Sequence, residues 1–215
     1  MNIAPLVWRE LMAATRTPAT WVVVAAQITL LALYLIVWGD GVPLVGARPV
    51  LEQFVTTQWV FLGLALPWTA ARCGVTRHRD DVARLAAFGA IPPSAVVTGL
   101  LLSLTAMLLA ITLGGLPFAI LAQQISAAPA SQLAAAELSL LALSVFVSAT
   151  TAACMLMLVN RLFAWVVASA VTLGVLALLP PGLLGGLALL VLGVFTGAWL
   201  VRAADGRFRY LSELS

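Results

Sequence analysis

The chain has no lysine, a single histidine and two cysteines, and charged side chains make up 9% of its 215 residues. Each scarcity excludes something. Without lysine there is no phosphate-cradling loop of the GxxxxGK[ST] type, so ATP is not bound by such a loop here. His78, Cys73 and Cys154 are too few and too scattered for a metal constellation or a disulfide framework. No Ser/His/Asp grouping forms at membrane depth, because His78 lies in a polar interval. The chain therefore reads as a non-enzyme with no cofactor or metal of its own. Too little charge remains to cover a soluble domain of this length.

What replaces charge is apolar length. Hydrophobic residues are 63% of the chain and mean hydropathy is +1.10. Runs close to the roughly 20 residues that cross a bilayer recur from end to end. They are continuous, not alternating, which excludes a strand barrel. The expected fold is an all-α integral membrane protein, one transmembrane domain over 1–215, with six transmembrane helices. Those spans fall at about 21–38, 54–71, 95–123, 133–159, 163–179 and 183–201.

The basic residues set the sidedness. With the N-terminus inside, Arg9, Arg16, Arg72, Arg77, Arg79, Arg84, Arg161, Arg202, Arg207 and Arg209 fall on the cytoplasmic side. Arg48 alone falls outside. Both termini are then cytoplasmic in a multi-pass protein of the cell membrane, and the net charge of +3 is topology, with no nucleic-acid patch.

Four features carry further expectations. Residues 5–17 read as an amphipathic interfacial helix on lipid, with Trp8, Leu11 and Met12 on one side, Arg9 and Arg16 on another, and Glu10 at the border. The interval 72–94 is the longest polar stretch. Asp80 and Asp81 can start a short cytoplasmic helix there, with Val82, Leu85 and Phe88 following at three-residue spacing and Arg77, Arg79 and Arg84 on its rim. The Pro92-Pro93-Ser94 run, with Ser94 as capping residue, marks the start of the third span, and Gly114-Gly115-Leu116-Pro117 marks a break within it. Glu137, placed in the first turn of span four, reads as an interfacial carboxylate, and Gly193 and Gly197 form a GxxxG packing motif.

The Arg9-Glu10 … Arg16-Thr17-Pro18 stretch, a helix between spans two and three ahead of Ile91-Pro92-Pro93-Ser94, and the six-span plan together resemble the membrane subunits of type-2, exporter-type ABC transporters. The resemblance covers nearly the whole chain. It implies a permease subunit, an exporter, pairing with a second copy or a paralogue and with separate cytoplasmic ABC ATPase subunits that hold ATP and Mg²⁺. It implies that Asp80, Asp81, Val82, Arg84, Leu85 and Phe88 form a coupling helix gripping the ATPase. It also implies that spans one, two and five line the path, which singles out Gln27, Thr57 and Gln58. The family's Gly-Leu/Thr-Glu run near the coupling helix is replaced by DDVARLAAFG, and Pro180–Gly186 leaves little room for an outer re-entrant segment. Two other readings stand beside this one. They are the substrate-binding membrane subunit of a vitamin importer, and a membrane scaffold or assembly factor.

Overall fold

The computed structural model describes residues 4–38, 50–72, 92–158, 160–179 and 181–212. Among them lie the helices α1 (Ala4–Thr15), α2 (Pro18–Trp38), α3 (Val50–Arg72), α4 (Pro93–Leu113), α5 (Leu116–Ser126), α6 (Ala130–Met157), α7 (Arg161–Leu178) and α8 (Leu183–Ser212). The described residues contain no strand.

Among the described residues, four stretches are long and apolar enough to cross a bilayer: Pro18–Val37, Pro93–Ser126, Ala130–Met157 and Leu183–Asp205. This corrects the six-span plan. At 23 residues α3 has the length, but Glu52, Gln53, Thr56, Thr57 and Gln58 make it too polar to qualify. The apolar part of α7, Leu162–Leu178, is too short. Packing gives the physical reason for the polarity of α3. It lies against α2, α4, α5, α6 and α7 and buries residues on most of its sides, Phe54, Gln58, Leu62 and Leu66 completely. A helix wrapped by protein need not carry lipid-grade side chains all round. By contrast α8 turns Leu184, Phe195 and Trp199 outward, as a lipid-facing helix does.

Side-chain pairs fix the helix directions. The Tyr34 ring meets Phe54 edge-on at 5.7 Å, and its hydroxyl donates to the Val50 carbonyl at 3.4 Å. Gln27 and Gln58 meet further along, so α2 and α3 run antiparallel. Hydroxyl pairs Thr105–Ser148 at 2.7 Å and Thr112–Ser144 at 2.6 Å make α4 and α6 antiparallel too. Helices α6 and α8 run parallel: Gly186 faces Ser139, Gly193 faces Phe146 and Gly197 faces Ala149. The chain returns between them through α7, whose start is capped by Asn160, its Oδ1 accepting from the Leu162 and Phe163 N–H groups.

Two ends of the bundle follow. At one, the start of α3, the start of α6 and the α7–α8 turn surround a cavity. At the other, the Ser94 N–H donates to Asp205 Oδ1 at 3.1 Å, joining the start of α4 to late α8. Ser94 is therefore not the capping residue; the helix starts at Pro93, behind Pro92, and its acceptor comes from α8.

The N-terminal interfacial helix also needs correction. Helix α1 forms, with Trp8, Arg9 and Arg16 exposed, but it is docked along α4 and is not distinguishable as a separate surface element. Leu6 packs on Gly99, and the Thr20 hydroxyl just beyond α1 reaches the Met107 sulfur at 4.0 Å. Glu10, expected at the border, is buried with Ala14 on the inner face and paired with Arg9 at 2.6 Å. Close approach at Gly99 and Ala14 makes protein, not lipid, the favoured neighbour of this face. No coupling helix is distinguishable either: Asp80, Asp81, Val82, Arg84, Leu85 and Phe88 lie in residues 73–91, outside the described residues.

Candidate functional site

The apolar interior is split in two. One cluster gathers Val23, Leu62, Leu108 and Ile111 with residues of α6 and α8. The second gathers Leu31, Tyr34, Phe54, Val55, Ala119 and Ala122. Three residues stand between them, each one helical turn from both clusters: Gln27 between Val23 and Leu31, Gln58 between Phe54 and Leu62, Gly115 between Ile111 and Ala119. The seam between the cores is a polar layer.

Sequence makes this layer in three steps. Gln27 and Gln58 occupy inward positions of α2 and α3, at 1% and 0% exposure. The Gly114-Gly115 pair, followed by Pro117, ends α4 and restarts the chain as α5, as the sequence indicates. Gly115 then lets both amides come up to the backbone. A Cβ there would lie 2.9 Å from Gln27 Nε2 and closer still to Gln58 Nε2, so no side chain fits without moving them.

The amides are unspent. Gln27 Nε2 and both Gln58 amide atoms are buried with no hydrogen-bond partner among the described residues, and so is the indole N–H of neighbouring Trp59. Leaving a buried amide unsatisfied costs about 1–3 kcal/mol per group. A packed core gains nothing from that. Two uncharged amides offer donors and acceptors to a passing polar solute, and nothing in the set is a nucleophile or general base. Among the described residues no group of three His, Cys, Asp or Glu is placed to hold a metal ion.

Of the three residues singled out for the path, the structure unites Gln27 and Gln58 and leaves Thr57 out. Thr57 is half-buried and spends its hydroxyl on the Gln53 carbonyl at 2.9 Å, within its own helix.

A second polar group sits toward the cavity end. Helix α6 begins at Ala130, so Glu137 stands two turns inside it, not in the first turn. It is 8% exposed, and neither carboxylate oxygen has a hydrogen-bond partner among the described residues. Its depth depends on where α6 starts, after Pro129, which the apolar run alone does not show.

Fold and polar layer together define a multi-pass α-helical membrane protein. The chain matches no family model, no curated protein and no solved structure.

Proposed function

We propose that the chain is the membrane permease subunit of an ATP-driven, exporter-like ABC transporter. Solute passes along the Gln27–Gln58–Gly115 layer, and ATP is hydrolysed on separate subunits. The observation that carries this reading is the pair of buried glutamines meeting at a helix break, with Gln27 Nε2 and both Gln58 amide atoms unpartnered among the described residues. Polar groups kept inside a membrane bundle at a cost to its stability mark a path or a binding point. A pure scaffold has no use for them, and the described residues offer no catalytic set in their place.

Energy enters, in this proposal, through the polar interval that follows Arg72. Asp80, Asp81, Val82, Arg84, Leu85 and Phe88 make the contact with cytoplasmic ATPase subunits carrying ATP and Mg²⁺, with both termini on that side. A second copy or a paralogue completes the path. The start of α4 is tied to α8 through Ser94 and Asp205, so movement of this interval reaches the last helix directly.

The test is purification of the tagged chain from its native membrane in mild detergent, with identification of stoichiometric partners. A soluble ATPase at about one copy per chain is expected. Gln58→Leu should keep that partner while abolishing solute-stimulated ATP hydrolysis. A monodisperse chain without any ATPase would refute the proposal.

A further inference from the structure

The unspent atoms of the two glutamines form a chemical pattern. Gln58 has both Nε2 and Oε1 buried without a partner among the described residues, so one planar amide offers a donor and an acceptor along the same edge. Gln27 adds Nε2, a second donor. Both nitrogens lie within 2.9 Å of one point, the place that a Cβ on Gly115 would take. Nitrogens that close to a common point are near enough for a single oxygen to accept from both at about 2.9 Å. Trp59, the next residue, leaves α3 about 100° further round and is not counted in this set.

The helices that meet at this point bring no charge to it. Helices α2, α4 and α5 carry no charged residue, and α3 carries its two, Glu52 and Arg72, at its ends. An ion brought here loses its water and meets no opposite charge, which is costly. A neutral group loses less and recovers it in hydrogen bonds. Apolar side chains flank the amides by one turn on either side, Leu31 and Phe54 in one cluster, Val23 and Leu62 in the other. The amides are the ends of flexible side chains, so parting them opens space beside Gly115 without moving a helix.

We infer that this layer recognises an uncharged cis-amide edge, that of a primary carboxamide or a lactam, on a small apolar body. Set head to head with Gln58, such a group donates its N–H to Oε1 and accepts from Nε2. The second lone pair of its carbonyl accepts from Gln27 Nε2. All three unspent atoms are then satisfied. A carboxylate has no N–H for Oε1, and an amidinium has no acceptor for either Nε2. An open-chain secondary amide is trans and holds its N–H and carbonyl on opposite edges, so it makes only one of the two Gln58 bonds at a time. The inference names the solute of the path proposed above and rests on that reading of the layer.

Benzamide, benzoate and benzamidine supply the test, since they share one shape and differ in charge and hydrogen-bond pattern. Titrated calorimetrically into the purified chain in detergent at neutral pH, benzamide should bind saturably at one site. Benzoate, protonated benzamidine and trans N-methylbenzamide should each bind more weakly by roughly tenfold or more. Gln58→Leu, which loses two bonds, should weaken benzamide by roughly tenfold or more, and Gln27→Leu, which loses one, by roughly two- to tenfold. Both replacements remove unsatisfied polar atoms from the interior, so both variants should fold. No saturable binding of benzamide, benzoate or benzamidine binding as tightly as benzamide, or undiminished binding to Gln58→Leu would each overturn the inference. The permease reading fails separately. A co-purifying ATPase with no benzamide binding removes the amide assignment alone, and benzamide binding without an ATPase removes the permease reading alone.

Discussion

Replacing Gly193 with alanine should loosen the contact between α6 and α8, and replacing Gly197 should not. A Cβ at Gly193 would stand 2.9 Å from both the Cα and the N of Phe146 and 3.1 Å from the Val145 carbonyl carbon. All three are backbone atoms of a helix, which cannot turn aside as a side-chain tip can. Ordinary carbon contacts lie at about 3.5–4.0 Å, so the two helices must separate by roughly 0.5–1 Å, forfeiting a quarter to a half of each contact along the seam. Overpacking of this kind costs about 1–3 kcal/mol. Gly186 is in the same position, its Cβ falling 2.8 Å from Ser139 Cα. At Gly197 the new methyl would meet Leu101 at 3.9 Å and Ala149 at 4.0 Å, ordinary contact, and alanine is the better helix former by about 1 kcal/mol. Reversible unfolding in mixed micelles should therefore rank the variants Gly193→Ala and Gly186→Ala below the parent, with Gly197→Ala level with it or above. A Gly197→Ala variant as unstable as Gly193→Ala would refute the reasoning, because it would mean that the motif, not the approach of backbone to glycine, sets the cost.

Other consequences can be checked in the same micelles. Gln58→Leu should be neutral or stabilising by about 1 kcal/mol, since it removes unsatisfied polar atoms from the interior; a marked loss of stability would show that the amide has a structural partner. A double-mutant cycle between Thr112→Val and Ser144→Ala should return a coupling near 0.6 kcal/mol, the usual size of a hydroxyl bond between membrane helices, and zero coupling would rule out the pairing. Asp205→Ala should cost about 1 kcal/mol and speed amide exchange at Ser94, with unchanged exchange there counting against the cap.

Much of the fold is legible in the sequence where lipid does the selecting. Continuous apolar runs locate α2, α6 and α8, and Gly114-Gly115 with Pro117 locates the α4–α5 break. Legibility fails where protein replaces lipid as the neighbour. Helix α3 reads as one more span, yet its glutamines and threonines make it too polar to qualify, and this is tolerated because five helices pack against it. Helix α1 reads as amphipathic on lipid, but Glu10 turns inward beside Ala14, a choice made by the surface of α4. The candidate site divides in the same way. Gln27 and Gln58 stand out as polar residues in apolar runs. Their meeting at Gly115 depends on register between three helices, and the burial of Glu137 depends on one extra turn at the start of α6. The important glycine of α8 outside the GxxxG motif, Gly186, lies seven residues before Gly193. Only the parallel run of α6 and α8 shows why that spacing matters.

The bond between Ser94 and Asp205 also orders the chain's own manufacture. The two residues are 111 positions apart. Helix α4 is therefore synthesised and inserted long before the carboxylate that completes its first turn exists. The backbone of α6 that Gly186 and Gly193 will cover waits in the same way for α8. An insertion intermediate ending before α8 thus carries an uncapped helix start at one end of the bundle and an uncovered stretch of α6 backbone toward the other, and a single arriving helix closes both. Helix α8 thus acts as the lock of the bundle, and a ribosome stalled short of residue 205 leaves a chain with both surfaces unfinished.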